Sequence, residues 1–182
     1  MFEFNLYQRV LFQSEPRSEN LHAHRYIAAI DLFRSSVFKG RLSRVVKKIL
    51  HKPCRLYDFD LLKPQVKLLG GSYLGLRTVS IDDIIGTEGK ADDFDADFHP
   101  FSEEARERWI NIALLHFSCV PLPPVALLKV GDVHFVRDGH HRISVARALG
   151  QKEVDAEVIA WRASPPFPWK RRTVLRPIHM SS

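Results

Sequence analysis

Apolar and polar positions divide the chain into a helical opening, a strand-rich middle and a proline-punctuated end. Between Leu21 and Leu50 the apolar residues recur at helical spacing. Tyr26, Ile30 and Phe33 share one face; Leu42, Val45, Val46 and Ile49 share another. The spacing predicts two helices broken near Ser35 to Gly40, because glycine weakens a helix interior. The second helix is expected to turn its apolar side chains inward and leave Arg44, Lys47 and Lys48 in solvent. Pro53 blocks easy continuation.

Further on, Gly70-Gly71 reads as a loop. Arg77 to Ile85 reads as a strand with a short turn at Asp82-Asp83. Glu88 to Pro100 is a polar loop pinned by Phe94 and Phe98. Ser102, followed by Glu103 and Glu104, is expected to cap a helix that carries Trp109, Ile112, Ala113 and Phe117 inward and stops at Pro121 to Pro124. Val125 to Val130 and Val133 to Val136 form a hairpin about Gly131-Asp132. A helix from about His140 to Leu149 ends on Gly150, and a last strand covers Val154 to Ala160. The segment from Trp161 to Ser182, with Pro165, Pro166, Pro168 and Pro177, is expected to run extended or wrapped over the body.

Composition adds three limits. The 182 residues are 45% hydrophobic and 10% aromatic, which suits a chain able to bury a core. No run approaches the roughly 18 apolar residues of a membrane helix, and no secretion signal is read at the start. Cys54 and Cys119 lie far apart without metal spacing, so reduced thiols and a cytoplasmic setting are expected. The net charge of +6 is uneven. Lys39 to Arg55 carries only positive charge, Asp82 to Glu107 is dominated by acids, and the end is basic again through Arg162, Lys170, Arg171, Arg172 and Arg176. The basic flanks can neutralise the acidic middle, or one can meet a polyanion.

The chemistry concentrates in FVRDGHHRISVARALG, Phe135 to Gly150. A strand runs into Asp138-Gly139 and a helix starts at once. The first N–H groups of a helix lack internal acceptors and carry partial positive charge. Gly139 permits close approach of a ligand to the backbone. His140, His141 and Arg142 add donors in that turn, and an arginine fork matches phosphate oxygens. Together they describe an anion site, with phosphate the usual occupant. The plainer alternative is structural: Asp138 caps the helix, His140 bonds a carbonyl, and Arg142 pairs with an acid such as Asp93.

The stretch FVRDGHHRISVARALGQKEVDAEV resembles the ParB/sulfiredoxin-like domain, whose signature is a strand, a Gly-x-x-Arg turn and a helix. RTVSIDDIIG, DDFDADFHP and LPPVALLKVGDVHFV extend the likeness to small bacterial ParB-like proteins over roughly Leu76 to Ala160. The resemblance implies an α+β fold: a small mixed sheet with packed helices and an N-terminal helical extension. It divides the chain into a basic helical extension (1–70), the ParB/sulfiredoxin-like domain (71–160) and a Pro-rich basic tail (161–182). It also implies that Gly139 and Arg142 hold nucleotide phosphates. Where sulfiredoxins place a catalytic cysteine after the glycine, this chain has His140. Where ParB clamps have Glu-Arg-Arg, it has His140-His141-Arg142.

The leading expectation is therefore a nucleotide (CTP, ATP or ADP) bound at Asp138, Gly139, His140, His141 and Arg142, with hydrolysis or phosphotransfer left open. Glu88 is the candidate general base for such chemistry. Asp93 and Asp95 are candidate Mg²⁺ ligands, since that ion takes carboxylate oxygens beside phosphates. A first rival is a DNA-binding protein or nuclease that uses Arg41, Arg44, Lys47 and Lys48 on the basic helix. A second is a non-catalytic interaction module. His140-His141 is a poor zinc pair, because adjacent helical side chains diverge by about 100°.

Overall fold

The computed structural model describes residues 17–89, 93–101 and 103–169. Ser102, the foreseen helix cap, and Asp92 lie outside the described residues, as do the basic residues from Lys170 onward.

The described residues open with one continuous helix, α1 (Arg17–Ile49), rather than two. Gly40 sits inside it, buried, and does not break it. A Cβ there would lie 2.7 Å from His99 Cβ, so the glycine lets a loop pack directly on the helix. Ala29, Phe33, Ser36 and Gly40 form the buried stripe, spaced four, three and four residues apart. Phe33 meets Trp109 edge-on, with ring centroids 5.4 Å apart.

Beyond Gly40 the helix reverses the expected amphipathicity. Ser43, Arg44 and Lys47 continue the inward stripe, half-buried, while Leu42, Val45, Val46 and Ile49 are exposed. The reason lies in what this end of α1 faces. The loop beneath offers Asp97, which accepts from Ser43 Oγ at 2.9 Å and pairs with Lys47. It also offers the Phe101 ring, 4.6 Å below the Arg44 guanidinium. Both interactions reward charge rather than aliphatic burial.

After α1 come β1 (Tyr57–Asp58), the single turn α2 (Phe59–Leu62) and β2 (Lys67–Ser80). Gly70-Gly71 lies within β2 and is not a loop. A 3₁₀ turn over Ile81–Asp83 separates β2 from β3 (Ile84–Thr87), where one strand from Arg77 with a brief turn was expected. Then follow α3 (Arg106–Phe117), the hairpin β4 (Val125–Val130) and β5 (Val133–Asp138), α4 (His140–Ala148) and β6 (Glu153–Ser164). The last strand runs past Ala160 into the residues read as tail.

The six strands form one mixed sheet in the order β1-β3-β5-β4-β6-β2. The pairs β1/β3, β3/β5 and β4/β6 are parallel; β5/β4 and β6/β2 are antiparallel. On one face α1, α3 and α4 bury Trp109, Leu127, Val136, Ile143 and Val158. On the other, α2 and residues 167–169 bury Phe59, Leu128, Phe135 and Trp169. Neighbouring residues such as Leu127 and Leu128, or Phe135 and Val136, serve opposite faces, as strand geometry dictates. The fold is α+β. Buried Trp109 donates Nε1–H to buried Ser144 Oγ at 2.8 Å, which fixes α4 to α3.

Candidate anion site at the start of α4

β3 and β5 run parallel, with Gly86 paired to Phe135 and Thr87 to Val136, so their carboxyl ends open at one edge. α4 leaves that edge directly after β5. Gly139 makes the turn with φ 98° and caps the helix without a side-chain hydrogen bond. It is glycine for two reasons. The left-handed backbone disfavours other residues, and a Cβ would come within 2.6 Å of Val125 Cγ1.

Arg142 folds back over this turn. Its Nη1 donates to the carbonyls of Pro123 at 2.7 Å and Pro124 at 3.0 Å, and its Nη2 pairs with Asp138. The Arg142 side chain is 15% exposed, that of Asp138 74%. The guanidinium thus straps the proline-rich entry of β4 to the exit of β5. The expected acid partner of the plainer reading, Asp93, is replaced by Asp138, one helical turn away.

His140 is held from the strand side. Its Nε2 meets Thr87 Oγ1, and the same hydroxyl lies 2.7 Å from Gly89 O and 3.2 Å from Val136 O. A hydroxyl has one proton, and a carbonyl only accepts. Thr87 therefore donates to a carbonyl and accepts from His140, which assigns the imidazole proton to Nε2. The Phe94 ring stacks on His140, with centroids 6.3 Å apart and planes 10° apart, and meets His141 edge-on at 5.1 Å. One buried aromatic thus orients both histidines.

Glu88, the foreseen base, follows Thr87 at the same edge. Its Oε2 accepts from Arg137 Nε at 2.6 Å and its Oε1 from Arg137 Nη2 at 3.3 Å. These bonds, the largest influence on Arg137, raise its pKa. Each carboxylate oxygen accepts one bond from Arg137 and keeps a further lone pair.

Asp95, one of the two foreseen Mg²⁺ ligands, is engaged within its own loop. Asp95 is buried, and its Oδ1 accepts from the amides of Asp97 at 2.8 Å and His99 at 2.9 Å. Its Oδ2 faces His99 Nδ1 at 3.1 Å. It shapes the loop over which α1 lies. Asp95, Asp97 and His99 place ligand atoms within 4.8 Å of one another, and Asp93 is outside that group. Of the four basic residues foreseen for nucleic acid, Arg41 and Lys48 are exposed, while Arg44 and Lys47 turn inward.

Sequence reasoning missed Thr87 and Arg137 as members of this edge. Arg137 immediately precedes Asp138, and the alternation of β5 could have set it beside the neighbouring strand. Thr87 had no comparable signal. A cavity of about 250 Å³ lies at the opposite end of α4, lined by Ser36, Lys39, Asp82, Ser144 and Arg147 among others. There Arg147 donates to Asp82 at 3.1 Å.

No helix among the described residues is long and apolar enough to cross a membrane. Compared with protein-family models, curated proteins and solved structures, the chain matches none of them.

Proposed function

We propose that the turn Asp138–Arg142 binds a phosphate group, that of a nucleotide such as CTP, ATP or ADP, in the manner of ParB/sulfiredoxin-like domains. The observation that carries this reading is the glycine-capped start of α4 at the open carboxyl ends of β3 and β5. Ligands of α/β sheets gather at strand carboxyl ends, and a helix start favours anions there. Thr87 and Phe94 hold His140 and His141 in place at that same turn.

The roles within the turn differ from a bare arginine fork. Arg142 and Asp138 offset each other's charge, as do Arg137 and Glu88. The attraction for an anion rests on the helix end and, when protonated, on the histidines. Arg142 is a positioning residue that holds the backbone in its left-handed bend. No step here depends on Mg²⁺ at Asp93 and Asp95.

The test is calorimetric titration with CTP, ATP and ADP, with and without Mg²⁺. His141→Ala should weaken binding about tenfold, about one hydrogen bond to a phosphate oxygen. Equal affinities for wild type and His141→Ala, with both proteins folded, would remove the reading.

A further inference from the structure

Phe38, Leu42, Val45 and Ile49 stand 68%, 57%, 56% and 70% exposed on α1. They are spaced four, three and four residues apart. At 100° per residue they form a stripe diametrically opposite the Ala29, Phe33, Ser36 and Gly40 stripe that packs on the sheet domain. The stripe is about 16 Å long, three helical turns. Scattered exposed apolar residues are ordinary. Four in register along one helix, on the face turned away from the fold, form a contiguous patch of the kind that marks an interaction site.

Two further observations choose the occupant. The four-three-four spacing follows the a/d seam of a coiled coil, and Val46 and Leu50, 45% and 56% exposed, widen it on one side towards the end of the helix. The positions flanking such a seam are Arg41 and Lys48 on one side, Lys39 and Val46 on the other. No acidic residue occurs between Asp31 and Asp58. Flanking charges select the partner. A second copy of this helix would set cation against cation.

We infer that the outer face of α1, Phe38 to Ile49, docks an acidic amphipathic helix of a partner protein, with apolar residues in its seam and Glu or Asp beside it. The inward turn of Arg44 and Lys47 fits this division. The cations that the fold consumes face Asp97 and Phe101, and Arg41 and Lys48 stay available at the rim. This surface lies on another element from the phosphate turn, and its test is independent of nucleotide.

The experiment uses the full chain and two labelled three-heptad peptides, with Leu at every a and d position. One carries Glu at e and g, the other Lys. Fluorescence anisotropy should show binding of the Glu peptide and at least tenfold weaker binding of the Lys peptide. Leu42→Ser with Val45→Ser should abolish binding without lowering the melting temperature, since both side chains are exposed. Arg41→Glu with Lys48→Glu should reverse the preference between peptides. The inference is overturned if neither peptide binds at about 100 μM, if both bind equally, or if preference survives the charge reversal. Two further results also overturn it. One is sedimentation of the protein alone as a dimer that Leu42→Ser dissociates, which makes the stripe a self-interface. The other is binding to phosphatidylglycerol vesicles, lost in the same variant, which makes it a membrane face.

Discussion

Replacing Gly139 by alanine should unfold the start of α4 in two separable ways. The backbone at φ 98° is a conformation that an L side chain occupies at a cost of about 1 to 2 kcal/mol. The added Cβ would also lie 2.6 Å from Val125 Cγ1 and 2.9 Å from Val125 Cβ. Val125 is 2% exposed and hydrogen-bonded in β4 beside β6, so it has little room to yield. Overpacking of this kind costs about 1 to 3 kcal/mol. Gly139→Ala should therefore lose about 2 to 5 kcal/mol, a large part of the stability of a domain this size. The assay is urea unfolding followed by far-UV circular dichroism, with the midpoint falling and the slope unchanged. Val125→Ala removes the Cγ1 contact but leaves a Cβ close by. The double variant should recover part of the steric cost and none of the backbone cost, a coupling of about 1 kcal/mol or more. A single variant within about 0.5 kcal/mol of wild type would refute both the left-handed turn and the contact with Val125.

His134 offers a pH signature. Burial, and then Lys129, lower its pKa from 6.5 to about 4, with Asp83 opposing. The unfolded chain takes the proton first, so this contribution is intact above pH 6.5 and is lost as pH falls towards 4. The loss approaches about 3.5 kcal/mol at most, at about 1.4 kcal/mol per unit; His134→Gln should remove that part of the slope in urea titrations at pH 7.5 and 4.5. Trp109→Phe keeps an aromatic ring but leaves Ser144 without its donor in the core, and should cost about 1 to 3 kcal/mol by thermal melting; Ser144→Ala in that background should recover some of it. Cys54 is half-buried and Cys119 exposed, and neither touches the turn. Serine at both positions should leave calorimetric affinity for ATP unchanged, and a loss with the fold intact would place a thiol in the site.

The parts of the fold that the sequence made legible are those where local chemistry and tertiary demand agree. The β4–β5 hairpin follows from Gly131-Asp132 between alternating apolar runs, and α4 from the Gly139 to Gly150 frame. The misread parts are those where a distant partner decides. Gly40 punctuates most helices, yet here His99 packs on it, a contact 59 positions away. Gly70-Gly71 suggested a loop, yet β6 supplies partners along the whole of β2. The C-terminal half of α1 was turned about its axis by Asp97 and Phe101, which periodicity alone does not reveal. For the candidate site, the motif marked the turn from Asp138 to Arg142, but not what its side chains touch. Arg142 is occupied by two proline carbonyls that no sequence pattern announces. Thr87 comes to His140 only because β3 lies parallel to β5. Cys119 is exposed with φ 55°, where the chain turns out of α3.

The antiparallel ribbon of β2 and β6 has a consequence for how the protein keeps apart from its own kind. Among the described residues β2 is the last strand of the sheet, and its outer edge runs fourteen residues, with Leu69, Tyr73 and Leu76 exposed on it. A straight edge of that length is a template on which another chain can add a strand. The register slips between Leu68 and Gly70 and again between Tyr73 and Gly75. Each slip is a bulge that kinks the strand and increases its twist. The edge is thereby cut into pieces of about six residues or fewer, at or below the length that stacks into fibrils. The ribbon is long enough to order β6 across the whole sheet, while the two bulges deny it the flatness that fibril growth needs. Filling Gly75 with valine would put both properties in conflict, trading a private ribbon for a sticky one.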